Sequence, residues 1–196
     1  MKRIWKTLLI VLGSLVAFFV FVGLAAVFFG VDDKETDSNN EEVNPMKDFE
    51  NSIRDKNKNS TIEFIDNNLV VTLPDESISD KELFVNSKFP RLAAEVMQLS
   101  SKIDYDMILI KTTATLLDNK GNEHQGILES ALFESKNMED INYDNWINQV
   151  TANSDIFYDL ASAFYILPSV YLEIESPTPN VAMKPLTNDF WNSNGH

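Results

Sequence analysis

Twenty-five uncharged, mostly apolar residues in a row, TLLIVLGSLVAFFVFVGLAAVFFGV from Thr7 to Val31, constrain this chain more than any other feature. The core of a secretory signal runs to about 7–15 apolar residues and a membrane-spanning helix needs about 20, so the length points to a permanent anchor. As a helix the run reaches roughly 37 Å, enough to cross a ~30 Å hydrocarbon layer with some tilt. A cleaved signal is the competing reading. Gly23-Leu24-Ala25 has small residues at the required interval, but a cut there leaves Val27, Phe28 and Phe29 near the new terminus. Lys2, Arg3, Lys6 and the interfacial Trp5 precede the run, while Asp32, Asp33, Glu35 and Asp37 follow it. This asymmetry places the N-terminus in the cytoplasm and the rest outside a cell membrane, as a single-pass protein. Membrane lipid is therefore the expected partner of residues 7–31. The small pairs Gly13/Ala17 and Ala26/Gly30 offer a route to a homo-oligomer through that helix.

The three cations before the run leave 13 Lys and Arg against 30 Asp and Glu, a formal charge of −17 on everything beyond it. Such a surface repels phosphate backbones and anionic lipid, which excludes nucleic acid and favours cationic partners. With no cysteine there is no disulfide framework, thiolate metal site or thiol nucleophile. The exported part has to fold on its core alone, and the chain reads as bacterial.

Residues 32–59 are rich in Asp, Glu, Asn and Lys and read as an acidic stalk. Within it, Asn44-Pro45 is a cap and first-turn pair, with Met46, Phe49 and Ile53 on one side of a short helix that packs onto the domain. The pattern TIEFI-DNN-LVVTLP, Thr61 to Pro74, predicts a hairpin. Ser79 and Glu82 are spaced as a capping box, and Pro90 is expected to bend or restart the helix that carries Leu92, Val96, Leu99 and Ile103. Met107 to Phe133 predicts a second hairpin around Asp118–Asn122, with Gly121 supplying the left-handed turn residue. A 3.6-residue period through Ile141, Tyr143, Ile147 and Val150, then Phe157, Leu160, Ala161 and Phe164, predicts helix up to Leu167. Val170, Leu172 and Ile174 alternate as a last strand.

The expected fold is thus α+β: one transmembrane helix (1–31 with its cytoplasmic stub), the stalk (32–59), an antiparallel-sheet domain ordered ββαββαβ with helices on one face (60–176), and an extended tail (177–196).

No constellation states a reaction. His124 sits at the predicted turn and His196 at the chain end, so no two-histidine metal site assembles. Asp118, Asn122 and Glu129 fall at positions one, five and twelve of an EF-hand loop, but Lys120 stands at position three and Glu123 where glycine is required. Glu129, Glu134, Glu173 and Glu175 are candidates for a glycosidase-like pair, and the simpler expectation is that they coat the wet face of the sheet. No phosphate loop, dinucleotide fingerprint or nucleophile elbow occurs. No catalytic, metal or cofactor-binding residue is therefore assigned, no cofactor is expected, and the chain is read as a non-enzyme. The aromatic group between Tyr143 and Tyr165 is denser than one helix face needs; core packing is the first expectation for it, with Trp146 and Tyr158 nominated as exposed partner-binding residues, while Phe190 and Trp191 in the tail either dock back onto the domain or meet a partner. The leading expectation is a membrane-anchored binding or assembly module contacting other envelope proteins, in a secretion or conjugation type of machine. An anchored carboxylate-dependent wall hydrolase and a phage-exclusion or immunity protein are the alternatives.

Overall fold

The structure, a computed structural model, describes residues 44–74 and 78–196. The apolar run Thr7–Val31, its small-residue pairs and the stalk up to residue 43 lie outside the described residues. Among those described, no helix is long and apolar enough to cross a membrane.

The described chain is a mixed α+β unit built on one six-stranded sheet whose spatial order follows the sequence, β1 (Thr61–Ile65), β2 (Asn68–Pro74), β3 (Met107–Leu117), β4 (Glu123–Glu134), β5 (Ala163–Ile166) and β6 (Met183–Lys184). Every neighbouring pair is antiparallel except β2 and β3, which run parallel. The wholly antiparallel sheet expected from the two hairpins is thereby corrected. A helical connection returns the chain to the end of the sheet where β2 began, so β3 has to start there too.

Local chemistry explains both hairpins. Asp66 and Asn67 take positive φ (49° and 62°) as a two-residue turn, and Ile65 pairs directly with Asn68. Aspartate and asparagine tolerate that conformation, and its twist matches the strands. In the second hairpin the Asp118 carboxylate accepts from the N–H groups of Lys120 and Asn122, both at 2.8 Å, and from Asn122 Nδ2 at 2.8 Å. Those bonds, led by the Asn122 side chain, hold the carboxyl below its ordinary value. Gly121 sits at φ +82° with open space around it, so Gly121→Ala is limited by backbone strain. It should lower the unfolding free energy by about 1 kcal/mol, read as a shifted urea midpoint with unchanged slope.

The helices follow the sequence less closely. Helix α1 (Pro45–Lys56) is capped by the Asn44 side chain and buries Phe49 and Ile53, so the segment read as stalk contributes to the core. Asp80, rather than Ser79, caps α2 (Lys81–Leu83) by accepting from Leu83 N–H at 2.8 Å. A π turn over Phe84–Lys88 then leads into α3 (Phe89–Ser100), with Pro90 in its first turn. Past a short 3₁₀ turn (Ser135–Asn137) come α4 (Tyr143–Ala152) and α5 (Asp155–Leu160). The helix expected to run to Leu167 stops at Leu160, and the next residues form β5. The expected last strand at Val170–Ile174 is instead α6 (Pro168–Tyr171) and a turn. A four-residue apolar run such as AFYI satisfies either period, and pairing with β4 decides it.

Strand alternation sorts the core into two layers. Leu69, Val71, Ile108, Ile110, Ala131, Phe133, Phe164 and Ile166 face α1, α3, α4 and α5 in the larger cluster. Val70, Leu109, Leu132 and Ala163 face the other way and are covered by Trp191 of α7 (Asp189–Asn194), helped by Leu186 and Phe190. Helices on one face only, and an extended tail, are thus both corrected. Asn188 caps α7 by accepting from Phe190 and Trp191 N–H, the Ser130 hydroxyl donates to the Gly195 carbonyl, and Lys111 Nζ lies 3.5 Å from the Asn194 carbonyl. Lys111 and Ser130 are cross-strand partners, so one register position holds the end of the tail.

Candidate functional site

The four residues nominated for partner binding are not brought together. Trp146 and Tyr158 lie on the helical face, both against Phe157 (ring centroids 6.5 and 5.2 Å), whereas Phe190 and Trp191 lie on the opposite face. Tyr158 is 2% exposed and Trp191 1%, so neither offers a surface; Trp146 and Phe190 are half-buried. The aromatic excess is core, linked by edge-to-face contacts running from Phe89 through Phe157 and Tyr158 to Phe164. His196 stacks near Tyr165 and Trp191, at 5.9 and 5.8 Å. Glu173 lies in the turn after α6 and pairs with Lys81 at 2.6 Å.

Glu129 departs furthest from expectation. It is fully buried on the covered face, next to a bulge in β4 where Thr112 pairs with Glu129 and Thr113 with Ile127. Its surroundings follow from Pro90. In an α-helix the Val85 carbonyl would accept from Phe89 N–H, but that group bonds to Phe84 in the π turn. The next donor along would be residue 90, a proline without N–H. Val85 is left with no helical main-chain donor among the described residues, and the Tyr158 hydroxyl donates to it at 2.8 Å. Tyr158 also touches Glu129 Oε1. One hydroxyl has one hydrogen, so with Val85 taking it, Glu129 has to be the donor and hence a neutral acid. Burial demands the same. It pushes the Glu129 carboxyl well above its ordinary value of 4.5 against the weaker pull of the Tyr158 hydroxyl, and it pushes Tyr158 up as well. The other carboxyl oxygen, Oε2, has no partner among the described residues. Sealed from solvent, Glu129 touches no substrate. It ties sheet, π turn and α5 together.

A surface groove of about 450 Å³ lies where α3 ends, β3 begins and the 3₁₀ turn leads towards α4. Ile103, Met138 and Ile141 form apolar wall, Tyr105 and Tyr143 the aromatic part, and the exposed Asp104 and Glu139 its charge; among the described residues no lysine or arginine lines it. Tyr105 is fixed by Ser100, their hydroxyls 2.8 Å apart. Burial, then the neighbouring Tyr105, pushes Tyr143 up to about 12, so it remains a neutral ring and donor at any physiological pH. Sequence alone singled out Tyr143 only as one aromatic among several and passed over Asp104 and Glu139, since residues from three connections converge only in the fold. Among the described residues no three His, Cys, Asp or Glu cluster as a metal site.

No family model matches the chain, and neither a curated protein nor a solved structure matches it.

Proposed function

We propose that the chain is a binding module, tethered by its N-terminal apolar run outside a bacterial membrane, whose groove between α3, β3 and α4 receives a cationic side chain of another envelope protein. One observation carries the reading: the groove combines two tyrosine rings with two carboxylates and has no basic residue among the described residues of its lining. A lysine or arginine head finds the two exposed carboxylates and the half-buried Tyr143 ring and hydroxyl there, while apolar walls suit its stem. The net charge of −14 draws such partners in.

The wall-hydrolase alternative needs a carboxyl that stays protonated near neutral pH and reaches the substrate. Burial pushes the Glu129 carboxyl well above its ordinary value but also closes it off from any substrate, whereas Asp104 and Glu139 are exposed. The groove therefore favours holding a ligand over cleaving one.

Trilysine titrated into the full-length chain in detergent micelles tests this. The double change Asp104→Asn/Glu139→Gln should weaken binding by about fivefold at low salt. Tyr143→Ala should weaken it further, while Asp48→Asn/Asp55→Asn on α1 should have no effect. Equal losses from both charge pairs would reduce the groove to general electrostatics and end the proposal.

A further inference from the structure

Among the described residues β1 is the outermost strand of the sheet. Because Ile65 and Asn68 form the bonded pair beside the two-residue turn, Glu63 and Thr61 also bond to β2, and the N–H and C=O groups of Ile62 and Phe64 point outward. No main-chain group among the described residues meets them. The edge is left open to pairing: TIEFI contains no proline, lysine or bulge, Glu63 is its one charged residue, and the Phe64 side chain is 45% exposed. We propose that this edge binds an extended segment of a partner protein as an added strand, with a lysine or arginine of that segment opposite Glu63 and apolar residues opposite Ile62 and Phe64.

Charge selects this occupant over a second copy. The two-fold register that engages the outward groups of both residues sets Ile62 against Phe64 of the other copy and Glu63 against Glu63, whereas registers centred on Ile62 or Phe64 engage only one of those residues. Like charges directly opposed destabilise a strand pair, and opposite charges stabilise one. Glu63 is exposed; Lys111, on the same face two strands away, acts on it electrostatically, but no ion pair between described residues holds its carboxylate. It can therefore discriminate between incoming strands. Main-chain bonds supply affinity for any extended segment, and this carboxylate supplies the choice. The site is independent of the groove.

The test uses the full-length chain in detergent micelles and two fluorescent nine-residue peptides of alternating valine and threonine, one with lysine and one with glutamate at the centre. The lysine peptide should bind about fivefold more tightly, and Glu63→Lys should reverse the preference. Ile62→Pro removes one outward N–H and leaves the bonds to β2 in place. It should weaken both peptides at least tenfold, and Asp104→Asn/Glu139→Gln should change neither. Equal affinities, no binding, or binding indifferent to Ile62→Pro would overturn the proposal. So would a dimer of the unmodified chain that Ile62→Pro dissolves, because that assigns the edge to self-pairing. Should Ile62→Pro fail to fold, the reversal in Glu63→Lys decides alone.

Discussion

Trp191→Ala should lower the unfolding free energy by about 3–5 kcal/mol, the range for removing a fully buried large aromatic. The indole is the largest fully buried side chain in the described structure and the lid over Val70, Leu109, Leu132 and Ala163. Its loss also frees a six-residue helix that cannot persist without packing. Urea unfolding followed by far-ultraviolet circular dichroism measures this, and a loss under about 1 kcal/mol would show that the tail does not dock as described. Gly195→Ala should act in the same direction and by less. A Cβ there would stand 2.3–2.6 Å from the Trp191 ring, which its buried position does not let swing away.

The second large effect is a pH dependence centred on Glu129. Its folded value lies well above the ordinary 4.5 of the exposed group, so between the two the folded chain keeps a proton that the unfolded chain has released. Stability from this residue is therefore complete below about 4.5 and declines as pH rises toward the folded value, with a slope approaching about 1.4 kcal/mol per pH unit. Glu129→Gln keeps the shape and a donor toward Tyr158 but cannot ionise. Subtracting its unfolding free energies from those of the unmodified chain between pH 4 and 8 should leave this falling slope; a flat difference would mean that Glu129 ionises without penalty. Tyr158→Phe should cost about 1–3 kcal/mol, because it strips the Val85 carbonyl of its donor and Glu129 of its acceptor.

Most of what is decided within a few residues was legible in the sequence, although the cap of α2 falls on Asp80 and not on Ser79. Asn44-Pro45 starts a helix, Asp66-Asn67 makes a turn, Gly121 takes positive φ, and Pro90 forces a restart. What depends on distant partners was not legible. Ala163–Ile166 is a strand because the outer side of β4 needed one, and Trp191 is buried because alternation left Val70, Leu109 and Leu132 exposed on the second face. Glu129 is a different kind of miss. Ala131 and Phe133 share its strand parity and both point inward, so the alternation already placed it in the core. The usual preference of glutamate for water hid the signal. The groove assembles from a helix end, a strand start and a turn, and no local pattern joins Asp104 to Tyr143.

The single parallel seam between β2 and β3 also sets an order of events as the chain collapses. Each hairpin closes over a short loop, two residues in one case and five in the other, whereas the seam joins segments separated by a long helical excursion. Closing the longer loop loses more chain entropy before any contact repays it. The two hairpins are thus expected to form before their alignment along Leu69–Pro74 and Ile108–Thr113, the pairing with the larger loop to close.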